Sequence, residues 1–98
     1  MNNLNLHYNF AADKNQHLIQ TRNISFEQII AAINSDKLLD TIEHPNKKKY
    51  PNQKMYIVEI NNYIYLVPFI RESEHKVFLK TIIPNRKANK LYRKGDKT

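Results

Sequence analysis

Residues 54–83 contain three runs, 54–60, 63–70 and 76–83, dense in β-branched and aromatic residues and separated by very short links. Asn61-Asn62 supplies the positive-φ pair of a two-residue hairpin turn, and residues 71–75 supply a longer polar turn. Links this short impose antiparallel order, so the segment reads as a meander. Pro68 cannot donate to a ladder and places its strand at an edge or at a bulge, while Pro84 breaks the last strand.

The N-terminal half reads as helical. Residues 11–22 predict a first helix anchored by Leu18 and Ile19, preceded at residues 7–10 by either a short strand or the lead into that helix. Asn23 suits the turn that follows, because Asn tolerates positive φ. Ser25 then serves as an N-cap, Gln28 as its capping-box partner, and Ile24 is placed to staple against Ile29. Phe26, Ile29, Ile30 and Ile33 form one apolar stripe on a second helix ending near Asn34. A short strand at 38–42 precedes an exposed basic loop at 44–53, which contains Pro45 and Pro51. Asn85 is placed to cap a terminal helix over 86–93, ahead of a frayed tail at 94–98. The expected architecture is α+β in a single domain spanning 1–98. It has two N-terminal helices, an antiparallel sheet of three or four strands and a short basic C-terminal helix.

Composition narrows the function classes. A chain of 98 residues supports one modest core. Sixteen basic residues against nine acidic ones give a net charge of +7, which draws in phosphate-rich or acidic partners. The absence of Cys excludes disulfides, thiolate zinc sites and thiol nucleophiles. The first six residues are polar and no window is apolar enough to span a membrane, so a soluble protein acting in the cytoplasm, away from membranes, is expected. Gly95 is the sole glycine, which rules out a Gly-rich phosphate loop and argues against a nucleotide or other small-molecule cofactor. His7, His17, His44 and His75 lack metal-ligand spacing, so no metal site is expected.

The charge is clustered, with ten of the 16 basic residues falling in 47–54 and 86–97. Lys47, Lys48, Lys49 and Lys54 form the first group. In the second, Arg86, Lys90 and Arg93 recur as a stripe on the terminal helix, leaving Ala88 and Leu91 for the sheet. On the last long strand Lys76, Phe78 and Lys80 share one face, which joins phosphate contacts to a stacking ring. Tyr56, Tyr63, Tyr65 and Tyr92 can add rings or phenols. A single exposed lysine is ordinary, and tyrosines at strand spacing usually fill a core. It is the clustering that argues for a nucleic-acid footprint. His17 and His44 qualify by chemistry as general acid/base groups, but a surface or turn histidine is the commoner case for each. Ser25 is better explained as a cap than as a nucleophile, and Asp13, Glu59 and Glu72 show no paired-carboxylate pattern.

Two stretches resemble the BrnT-type toxins, a branch of the RelE-like ribonuclease toxins of bacterial toxin–antitoxin systems. Residues 14–26, KNQHLIQTRNISF, are similar to that family's first-helix segment, turn and hydrophobic-Ser-Phe helix entry. Residues 82–89, IIPNRKAN, resemble its strand end and following Ile-Ser-Ala-Arg-x-Ala-Thr type motif, matched at Ile83, Arg86 and Ala88. The sequence departs at Arg22 and Asn23, where the family usually has His-Gly, at Ala11 in place of Asp and at Tyr92 in place of Glu.

The resemblance implies a metal-independent endoribonuclease that cleaves RNA and stops growth. It also implies neutralisation by a co-encoded antitoxin, often a ribbon-helix-helix DNA-binding protein. Arg86 is then expected to hold the scissile phosphate in a bidentate fork, with Lys80 and Lys87 adding charge. Tyr92, His17 or Lys54 would move protons. Lys47, Lys48, Lys49, Lys90 and Arg93 would bind the RNA backbone. Two rivals share these residues: a non-enzymatic RNA- or DNA-binding module, and an adaptor whose basic face meets an acidic partner. An enzyme requires a cation beside a proton-transfer group in one concavity, whereas a binder requires only a continuous basic surface.

Overall fold

A computed structural model describes residues 6–85 of the chain. The described elements run β1 (His7–Asn9), α1 (Ala12–Arg22), α2 (Phe26–Asn34), β2 (Leu38–Glu43), β3 (Gln53–Ile60), β4 (Tyr63–Arg71), β5 (Lys76–Leu79) and β6 (Ile83–Pro84). They form an α+β fold with two helices on one face of a mixed sheet.

Local signals place the helices. Asn23 closes α1 at φ 57°, and Ser25 and Gln28 form a reciprocal capping box at the start of α2. Ile24 and Ile29 are both buried in the main core. Leu18 anchors α1 as expected, but Ile19 is 38% exposed. The second anchor is Asn15, which is 5% exposed. Its Oδ1 accepts from the Phe26 N–H at 2.8 Å, and its Nδ2 donates to Glu27 at 2.9 Å. A buried amide satisfied on both sides thus ties α1 to the first turn of α2.

The sheet is larger than the expected three or four antiparallel strands. It has six strands in the order β1-β5-β4-β3-β2, with β6 also pairing β4. Asn61 and Asn62 make the two-residue turn with φ of 53° and 65°, which fixes the β3–β4 register from Ile60↔Tyr63 to Gln53↔Ile70. β1 pairs with β5 in parallel, a contact between segments some 70 residues apart that no local pattern encodes. The run at 76–83 divides into β5 and β6. Pro68 lies in the central strand β4, where its carbonyl accepts from the Lys80 N–H at 2.8 Å but its own nitrogen can return no bond. β5 stops there. Between Phe69↔Leu79 and Leu66↔Ile83 the ladder moves three residues on β4 and four on the partner, so the irregularity sits opposite Pro68.

Leu18, Phe26, Ile29 and Ile33 from the helices pack on Tyr56, Val58, Val67, Phe69, Val77 and Leu79 from the sheet. No helix among the described residues is long and apolar enough to cross a membrane. The helix expected over 86–93 lies outside the described residues.

Candidate active site

Directly opposed residues of an antiparallel pair share a face. Lys54↔Phe69, Tyr56↔Val67 and Thr41↔Tyr56 therefore place Lys54, Tyr56, Phe69 and Thr41 on the helix-bearing face. Arg71, two residues beyond Phe69, joins them. The helices cover Val58 and Val67 but stop short of Lys54 and Arg71, both of which are exposed. This uncovered end of the sheet is a cavity of about 420 Å³. Lys54, Tyr56, Phe69, Arg71 and Tyr8 line it together with Leu6, Leu38, Thr41 and Asn52.

The floor is aromatic. Tyr56 stacks on Phe69 with ring centroids 3.9 Å apart and planes 12° from parallel, and Tyr8 meets Tyr56 edge-on at 6.3 Å. The two phenols lie close enough to influence each other's ionisation. Burial pushes Tyr56 well above the ordinary tyrosine pKa, and the neighbouring Tyr8 pushes it further, while Arg71 opposes the shift. Burial also raises Tyr8, against the lowering effect of Tyr56 and of Arg71. At neutral pH both are therefore proton donors beside a fixed positive charge. Arg71 is oriented by Nη1 donating to the Glu74 carbonyl at 2.9 Å. Across the ladder from Lys54 lies Glu43, whose carboxylate is held below its ordinary pKa first by a hydrogen bond from Lys47, with Lys54 contributing charge.

The structure sorts the sequence candidates. Lys54 is in the cavity. Lys47, Lys48 and Lys49 are exposed on the loop between β2 and β3, whose Asn52 enters the lining; Lys47 pairs with Glu43 at 2.6 Å. Lys80 projects from the opposite face of the sheet, its Nζ 5.5 Å from the Phe78 ring centroid, so it does not meet Lys54. His17 is exposed on α1 and lies outside the cavity lining. Arg86, Lys87, Lys90, Tyr92 and Arg93 are outside the described residues. Among the described residues no group of three His, Asp or Glu side chains is arranged to hold a metal ion.

Arg71 and Tyr8 are the residues that sequence reasoning missed. Arg71 reads as part of a polar turn, yet the Asn61-Asn62 turn fixes a register that puts it diagonally beside Lys54 on one face. Tyr8 carries no comparable signal, because it reaches the site through the parallel pairing of β1 with β5.

No family model matches the chain, and no curated protein matches it. Among solved structures it is similar to the ribonuclease toxin BrnT of Brucella abortus, with a TM-score of 0.59 and 18% sequence identity. The match covers 82% of this chain and 96% of that one. The two helices and mixed sheet that shape the cavity are thus the fold of a BrnT-type ribonuclease toxin.

Proposed function

We propose that the chain is the toxin of a type II toxin–antitoxin system. It acts in the cytoplasm as a metal-independent endoribonuclease whose reaction is carried out in the cavity around Lys54 and Arg71. The observation that carries this reading is the convergence of two cations and a pair of neighbouring phenols in one open concavity. A cavity of this size falls within the range of small-ligand sites and suits one nucleotide of a longer chain.

In the proposed reaction a ribose 2′-OH attacks the adjacent phosphorus. The O2′–P bond forms, the P–O5′ bond breaks, and the products are a 2′,3′-cyclic phosphate and a 5′-OH. Arg71 holds two phosphate oxygens in its fork, and Lys54 adds a point charge as the phosphorane develops. Tyr8, with Tyr56 beside it, gives its proton to the departing 5′ oxygen and is reprotonated from water through the open mouth. The 2′-OH proton leaves to water through the open mouth. Arg86 is retained as a further phosphate clamp, Lys87 as added charge and Tyr92 as a proton-transfer group. Lys47, Lys48, Lys49, Lys90 and Arg93 are the proposed backbone contacts, and a ribbon-helix-helix antitoxin is the proposed partner.

The test is induced expression in bacteria of the wild type, Arg71→Ala and Arg86→Ala, with growth and total RNA followed together. The proposal expects arrest with RNA cleavage by the wild type and relief of both by Arg71→Ala. Unimpaired growth and intact RNA with soluble wild-type protein would favour the non-enzymatic RNA-binding reading.

A further inference from the structure

The loop over residues 44–52 is built rather than loose. His44 donates its backbone N–H to the Gln53 carbonyl at 3.2 Å and accepts the Asn46 N–H on Nδ1 at 3.0 Å. The Asn46 side chain accepts from the Lys49 N–H at 3.2 Å, and the Asn46 carbonyl accepts from the Tyr50 N–H at 2.9 Å. This turn fixes the Tyr50 ring against His44, with centroids 4.5 Å apart, and sets Lys49 Nζ 5.4 Å from the Tyr50 centroid. Tyr50 and His44 are only half-buried, and neither belongs to the hydrophobic core. Filling the interior therefore does not explain them.

The position is as informative as the rings. The loop begins just after Glu43, which faces Lys54, and Asn52 near its end lines the cavity. Three consecutive lysines precede a pre-oriented aromatic ring on the loop whose Asn52 lines that cavity. A backbone-tracking charge beside a ring is the pattern by which proteins hold single strands, since every base has a face to stack. A ring already fixed in place loses little freedom on binding.

We propose that Tyr50, supported by His44, is a nucleobase-stacking subsite that takes an unpaired base of single-stranded RNA next to the nucleotide in the Lys54–Arg71 cavity. The inference rests on RNA being the substrate of that cavity and adds a specificity-determining residue to it. Lys47, Lys48 and Lys49 contact the adjoining phosphates, while Tyr50 makes the subsite demand a base rather than charge alone.

The experiment measures equilibrium binding, by fluorescence anisotropy, of a 2′-O-methyl octanucleotide, which no 2′-OH attack can cleave, and of the same backbone without bases. Wild type, Tyr50→Leu and Tyr50→Phe are compared. Wild type should bind the base-free strand about tenfold more weakly than the intact one. Tyr50→Leu should bind the intact strand about tenfold more weakly than wild type does and distinguish little between the two strands. Tyr50→Phe should behave as wild type. Losses from Tyr50→Leu and from base removal that simply multiply, or a Tyr50→Leu variant binding as tightly as wild type, would overturn the subsite. Because the probe is uncleavable, an inactive chain that still shows base-dependent binding defeats the endoribonuclease reading and leaves the stacking subsite standing.

Discussion

Tyr8 and Tyr56 meet edge-on across the two strands that separate β1 from β3, with ring centroids 6.3 Å apart and planes at 72°. The contact does two things at once. It joins the short edge strand β1 to the centre of the sheet, and it places two phenols with raised pKa values beside Arg71.

The phenol pair makes stability fall at alkaline pH. Both groups have folded pKa values above the unfolded value of about 10, so the native state retains protons that the unfolded chain releases. Their contribution is complete below about pH 10 and is lost as pH rises toward the folded values. Urea unfolding at pH 8 and pH 10.5 should show this loss, and Tyr56→Phe should reduce the difference between the two conditions. An unchanged difference would remove the pair from the account.

Asn15 supports the helix junction through two hydrogen bonds from a buried position. Asn15→Leu leaves the Phe26 N–H without its side-chain acceptor and should cost about 1–3 kcal/mol in chemical denaturation. Glu27 is held below its ordinary pKa chiefly by Asn15, so its contribution is present above about pH 4.5 and is lost on acidification. Asn15→Leu should flatten that acid limb as well.

The Asn61-Asn62 turn sets the register on which the site depends. Replacing Asn62, at φ 65°, with Val should destabilise the fold by about 1–2 kcal/mol. Asn62→Gly should be neutral or stabilising. Equal unfolding midpoints for the two variants would contradict the assigned turn.

Glu43 is fully exposed, and its ion pair with Lys47 contributes little to stability. Its carboxylate nevertheless faces Lys54 across the ladder. Glu43→Gln should therefore leave the unfolding midpoint in place while tightening RNA binding at low salt, with the gain fading as salt rises.

Where the signal was local, the sequence was legible. The capping box at Ser25 and Gln28, the positive-φ turn at Asn23 and the hairpin at Asn61-Asn62 each stand where the residues alone put them. Lys54 lines the cavity, and the hairpin register that accompanies it contains the information that sets Arg71 beside it. Two features were not legible. Residues 7–10 read as a short strand or as the lead into α1, and nothing local says that β1 pairs in parallel with a strand far along the chain. Lys80 belongs to a basic strand face, as its spacing suggests, but spacing alone does not say which face of the sheet the helices cover.

The most direct test of the central claim is single-turnover cleavage of a single-stranded oligoribonucleotide by the purified chain in a metal chelator, with the product ends identified. The account predicts 2′,3′-cyclic phosphate and 5′-OH ends. It also predicts a rate about 10²–10³-fold lower for Arg71→Ala, with native-like folding retained. Cleavage by a folded Arg71→Ala variant at the wild-type rate, or the absence of any cleavage by the wild type, would contradict it.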